Sequence, residues 1–184
     1  MSCRWLTPGM KTVDDKALFA VEWDLTATVD GWVFGVFTFL IGDVCVGDPE
    51  DTSVDMLGVA RWVRDFLSVP RNRFEEGLFA MPAERVYALL AGSVLAGGGD
   101  SGAHVEPYEN TFARFHLSHL GMSSFDAVTL LLVKDENGAE RCIWQIGSGP
   151  VSDACFPPST LESVLAEFLH AFEMRCPNPT RTGA

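Results

Sequence analysis

Basic residues are scarce in this 184-residue chain: thirteen Lys and Arg stand against twenty-five Asp and Glu, a formal charge of −12. A surface of that sign repels phosphates, so direct nucleic-acid binding is not expected, and basic partners are drawn toward it at long range. Acidity also serves plain solubility, so charge alone names no partner. Close cysteine pairs are lacking too. Cys3, Cys45, Cys142, Cys155 and Cys176 are odd in number and include no C-x-x-C. That argues against a disulfide framework and a zinc site, and for small buried hydrophobes in a reducing compartment. Apolar runs such as Ala127–Val133 fall far short of the roughly 20 residues that span a bilayer. Met1–Thr12 has no basic stretch followed by an apolar one, so no signal peptide is expected and the chain reads as soluble and cytoplasmic.

What is present is core material: 47% hydrophobic residues and a mean hydropathy of +0.15. The length suits one domain. Residues 1–16, with Pro8-Gly9, read as a flexible lead-in, residues 17–176 as a single α+β domain, and residues 177–184 as a tail. From Leu18 to Val29 apolar and polar residues alternate, Phe19, Val21, Trp23, Leu25 and Ala27 against Glu22, Asp24, Thr26 and Thr28. A period of two marks a strand with one wet face. Asp30-Gly31 signals a hairpin, because both residues tolerate positive φ. Trp32–Ile41 then forms a second strand, and Gly42-Asp43 turns into a short third, Val44–Val46.

Thr52 is placed to cap a helix whose stripe is Met56, Val59, Ala60, Val63, Phe66 and Leu67, with Pro70 ending it. Pro82 suits the start of a second helix, with Val86, Tyr87, Leu90 and Val94 inward. Gly97–Gly102 cannot hold a helix and reads as a loop. Strands follow at Thr111–Leu117, Ala127–Lys134 and Ala139–Ile146, the last two joined by the Asp135–Gly138 hairpin signal. Ser159 and Glu162 form a capping-box pattern opening a final helix, with Leu161, Val164, Leu165, Phe168 and Phe172 inward. This order predicts one α+β domain with a mostly antiparallel sheet of about six strands and three main helices. The opening meander is expected to share that sheet with Ala127–Ile146. Ile143 and Trp144 are both expected to be buried, which requires cover on both sheet faces.

Candidate chemistry is sparse. His116 and His119 lie at odd spacing on a predicted strand and point apart, with no third ligand close by, so they read as surface histidines and no metal is expected. Cys142 sits in an apolar strand, where a thiol is inert packing. Ser148, in Gly147-Ser148-Gly149, lacks the flanks of a nucleophile elbow. The segment Asp43, Asp48, Glu50, Asp51 and Asp55 carries no basic residue and no EF-hand loop pattern. It reads as a solvated loop with a helix start, or as a contact surface for a basic partner.

The run Phe34-Gly35-Val36-Phe37-Thr38-Phe39-Leu40-Ile41-Gly42-Asp43-Val44-Cys45-Val46-Gly47-Asp48, followed by Thr52-Ser53, resembles the signature of the immunity protein 42 family. The likeness continues at Leu78-Phe79, Ala113-Arg114-Phe115, Arg141–Trp144 and Phe156–Ser159, covering about Leu18 to Phe172. Gly97–Gly102 and Leu120–Ser124 look particular to this chain. The resemblance implies an intracellular antitoxin, encoded beside a bacterial polymorphic or contact-dependent inhibition toxin. It implies neutralisation by direct binding, with no catalytic residue and no cofactor. Acidity then suggests a basic, nuclease-type toxin, with no membrane and no nucleic-acid partner. The expected contact residues are Asp48, Glu50 and Asp51, with Glu75, Glu76 and Asp100 from other loops. The rival readings are a small hydrolase or transferase using His116, His119 or Cys142, and a non-enzymatic regulatory binding module.

Overall fold

The structure is a computed structural model that describes residues 19–68, 72–95, 114–117 and 122–176; the side chains of 92–95 are not described. The fold is α+β. Its described residues hold three α-helices and two antiparallel sheets of four and three strands. They divide into two compact units interleaved along the chain, one holding the described residues up to 68 with 122–127 and those from 159 on, the other the described residues between 72 and 117 with 128–158.

In the first unit, β1 (Phe19–Val29) and β2 (Trp32–Ile41) form a long hairpin, β3 (Val44–Val46) follows on the far side of β2, and β4 (Val54–Asp55) pairs with the same side nearer the hairpin end. The register runs from Phe19 opposite Ile41 to Val29 opposite Trp32, with a bulge at Thr26, between Leu25 and Ala27. Asp30 and Gly31 close the hairpin at φ 49° and 81°, a twist that two-residue hairpin turns favour. The expected alternation holds as far as the bulge: Phe19, Val21, Trp23, Phe37, Phe39 and Ile41 are all buried, but beyond it Ala27, expected on the same face, is exposed opposite Phe34. Against that face pack α1 (Met56–Ser68) and α3 (Thr160–Arg175). The core is aromatic. Phe168 lies 5.1 Å from Phe37 and 5.3 Å from Trp23, edge to face in both cases, the geometry the ring quadrupole prefers. Gly35 allows the closest approach, since a Cβ there would lie 2.2 Å from the Asp24 carbonyl oxygen and 2.8 Å from Met56.

The second unit is a meander of β5 (Val128–Lys134), β6 (Glu140–Ile146) and β7 (Ser152–Phe156), with α2 (Ala83–Leu95). Asp135 Oδ1 accepts from the Asn137 and Ala139 amides at 2.9 and 2.7 Å, while Gly138 takes φ 82°. Leu131, Val133 and Ile143 on one sheet face pack with Val86 and Leu90 of α2, Leu78 and Phe115. The opposite face, with Leu130, Leu132, Cys142 and Trp144, is buried as well. Ile143 and Trp144 are therefore both buried, as expected.

Several expectations are corrected. The opening meander and the strands around Ala127–Ile146 lie in two separate sheets, because among the described residues no strand pairs β1–β4 with β5–β7. Thr52 does not cap α1. Val54 is drawn into pairing with Gly35, so the helix starts later and Asp55 Oδ1 takes the Leu57 amide at 3.1 Å. Ser159 makes no side-chain cap bond, because it sits at φ 62° after two prolines rather than in the extended region a capping hydroxyl needs. Of Thr111–Leu117, residues 111–113 lie outside the described residues. The rest is a turn with one bridge, His116 to Leu131, rather than a strand. Gly97–Gly102, Val94's side chain, Pro70 and the chain ends are likewise outside.

Candidate functional site

The acidic segment after β3 is an ordered loop held from three sides. The Asp48 amide donates to the Ser124 carbonyl at 2.8 Å, and Asp48 Oδ1 accepts from the Glu50 amide at 2.9 Å. Asp51 Oδ1 accepts from the Ser53 hydroxyl at 2.6 Å and the Ser53 amide at 2.9 Å. Its other oxygen accepts from the Ser123 hydroxyl, at the start of the 3₁₀ turn Ser123–Phe125. These bonds, that from Ser123 foremost, hold the Asp51 carboxyl below the usual carboxylate range, because each donor favours the ionised form. From across β2, the Thr26 hydroxyl donates to the Thr52 carbonyl at 2.8 Å. Asp48 and Glu50 remain exposed and Asp51 partly so.

Glu75 and Glu76 are exposed on the second unit. Glu75 is matched by Arg114, Nη2 to Oε2 at 2.6 Å, which offsets its charge locally. Asp100 lies outside the described residues. Asp48, Glu50 and Asp51 are thus brought together in one loop of the first unit, and Glu75 and Glu76 belong to the other.

The alternative chemical candidates fare differently. Cys142 is fully buried, and burial pushes its thiol far up, which denies it the thiolate a nucleophile requires. His116 is buried rather than on the surface, with Nε2 3.3 Å from the Leu90 carbonyl oxygen. It is drawn inward because residues 115–117 pair with β5 and Phe115 packs with Val86 and Leu90 of α2. His119 lies outside the described residues, and Ser148 is in an exposed turn. Among the described residues no helix is long and apolar enough to cross a membrane.

The first unit also exposes large apolar side chains at the end of its hairpin. Trp32 and Val29 sit opposite each other there, and the Trp32 ring stacks on Phe34 with centroids 6.2 Å apart.

The sequence matches the immunity protein 42 family over residues 10–171. The chain belongs to this family. Membership supports an antitoxin immunity role, and a non-enzymatic one. Among solved structures, the CdiI protein from Burkholderia dolosa is similar in fold, with a TM-score of 0.59 at 13% identity over 83% of this chain and 95% of that one. A comparison with curated proteins finds no match. For an immunity protein the relevant surface is one that can be covered, and sequence reasoning identified only the charged part of it. It missed Ser123 as the anchor of Asp51, 72 residues away, and it missed the exposed hairpin end. The unequal burial of Trp32 and Phe37 on one strand is visible as alternation, yet which face stays open is decided by where α1 and α3 pack.

Proposed function

We propose that this immunity protein neutralises one cognate toxin in the cytoplasm by direct binding and occlusion, and that the toxin is a basic, nuclease-type domain. Family membership over residues 10–171 carries the reading. The charge of −12 supports the basic partner, since a toxin that holds phosphates must be positive and is steered by a field of opposite sign. Occlusion needs no chemistry from this chain. It needs a standard interface of about 1,600 Å² in total with a few strong anchors. Asp48 and Glu50 serve as charged rim, Asp51 holds their loop in shape, and Glu75, Glu76 and Asp100 are further rim candidates. The test is co-expression with the toxin domain encoded by the neighbouring gene. The two are expected to copurify, and growth to be protected. Independent elution with undiminished toxicity would reject the reading.

A further inference from the structure

Alternation along β2 sends its side chains to opposite sides of the four-stranded sheet. Val33, Phe37, Phe39 and Ile41 are buried on one side. Trp32, Phe34 and Val36 point to the other, and their cross-strand partners Val29, Ala27 and Asp24 share that side. Asp55 of β4 joins the same row, opposite Phe34 from the far edge. At the hairpin end Trp32 is 43% and Val29 52% exposed. The Trp32 and Phe34 planes differ by only 8°, and the Asp30-Gly31 turn and the pairing of Val29, Thr28 and Ala27 with Trp32, Val33 and Phe34 hold the strands in place. A hairpin end is ordinarily polar. A tryptophan ordered there before any partner arrives loses little entropy on being covered and offers a large apolar area.

We propose that Trp32, with Val29 and Phe34, is the apolar anchor of the toxin interface, and that it receives an arginine-bearing surface of the toxin. This inference rests on the immunity reading above. Charge complementarity argues for that occupant: residues 17–60, which build all four strands, contain eight carboxylates and no Lys, Arg or His. Asp24 and Asp55 lie on the face of the aromatic pair, opposite Val36 and Phe34, and Asp30 sits in the turn beside Trp32, so these strands give that face a negative sign. The chain itself displays the matching chemistry one residue away on the other side of β1, where the Arg175 guanidinium lies 4.8 Å above the Trp23 ring and 3.7 Å from Asp24. An arginine from a partner gains in the same two ways, from an aromatic face and a carboxylate.

The experiment measures binding kinetics of the purified chain to the inactivated toxin domain of the neighbouring gene. Trp32→Ala is expected to raise the dissociation rate tenfold or more, while Trp32→Phe retains most of the affinity. Leu89→Ser, at an exposed apolar site on the second unit, is expected to bind as the wild type does. Should Trp32→Ala lose its fold by circular dichroism, Val29→Asp carries the same test. If the wild type binds and both Trp32→Ala and Val29→Asp bind within twofold of it, the anchor is elsewhere and only this inference falls. If the wild type itself does not bind, the immunity reading falls with it. If the wild type self-associates, and Trp32→Ala abolishes that while sparing toxin binding, the face is a self-association surface and the proposal is overturned.

Discussion

The Ser123 hydroxyl donates to Asp51 Oδ2, joining a 3₁₀ turn late in the chain to the acidic loop after β3. Asp51 also accepts twice from Ser53, so one carboxylate sets the shape of the loop that presents Asp48 and Glu50. Replacing Asp51 with Ala is expected to destabilise the protein by about 1 kcal/mol at neutral pH, charged hydrogen bonds at a partly exposed site being worth little more. The folded-state pKa lies below the ordinary 3.8. The contribution is therefore complete above that value and disappears as pH falls through the folded-state pKa. Urea melts of wild type and Asp51→Ala should differ at pH 7 and converge in strong acid; an equal gap at both would reject the account.

Charge reversal of Asp48 and Glu50 to Lys tests the rim. These side chains are exposed, so stability is expected to stay within about 0.5 kcal/mol. The association rate for the toxin is expected to fall severalfold at low salt and less at high salt, as screening weakens steering. Stopped-flow mixing at two ionic strengths measures this, and unchanged rates at low salt would place the toxin elsewhere.

Arg141 is a buried cation of the second unit. Its Nε meets Asp153 at 2.8 Å, and Nη1 donates to the Phe79 and Met81 carbonyls, both at 2.7 Å. It thereby ties β6 to β7 and to the turn before α2. Arg141→Ala is expected to cost about 2 kcal/mol, because it removes the donor shared by the Phe79 and Met81 carbonyls, while Asp153 is exposed and can turn to water. Arg141→Lys is expected to recover only part, having no planar fork to serve them together. Thermal melts give both values; a neutral Arg141→Ala would contradict this role.

Gly35→Ala probes the close approach in the first unit. A Cβ at that position meets backbone, 2.2 Å from the Asp24 carbonyl oxygen, where relief requires moving β1 rather than a rotamer. The expected loss is about 2–3 kcal/mol or more, read from chemical denaturation. Gly42→Ala, with nothing within 4 Å but φ 59°, is expected to cost less, through backbone strain alone.

Local patterns carried far in this chain. The alternation from Phe19 to Leu25 and the Asp30-Gly31 and Asp135–Gly138 turns specify hairpins by themselves, since side-chain period and φ preference are short-range properties. The structure keeps those strands to within one or two residues. The stripe from Leu161 to Phe172 likewise marks a helix. Two strands escaped notice: β7, Ser152–Phe156, whose Ser, Asp and Ala favour no strand, and β4, only two residues long.

Composition and pattern by themselves determined the α+β class, the acid surface and the family likeness, because each depends on residue type and near neighbours. The division into two sheets was decided only by the tertiary structure, since strand partners are chosen by long-range burial that no local period encodes. The same holds for the helix starts. Thr52 and Ser159 have suitable hydroxyls, yet pairing of Val54 with Gly35 and the left-handed turn at Ser159 overrule them. It holds too for the site. That Asp48 and Asp51 carry charge is plain from their identity, but Asp51 becomes a structural acceptor because Ser123 is folded against it. Trp32 and Phe37 are both aromatic residues of one strand, yet Phe37 is buried on the side where Phe168 of α3 packs, while Trp32, on the other side at the hairpin end, stays 43% exposed.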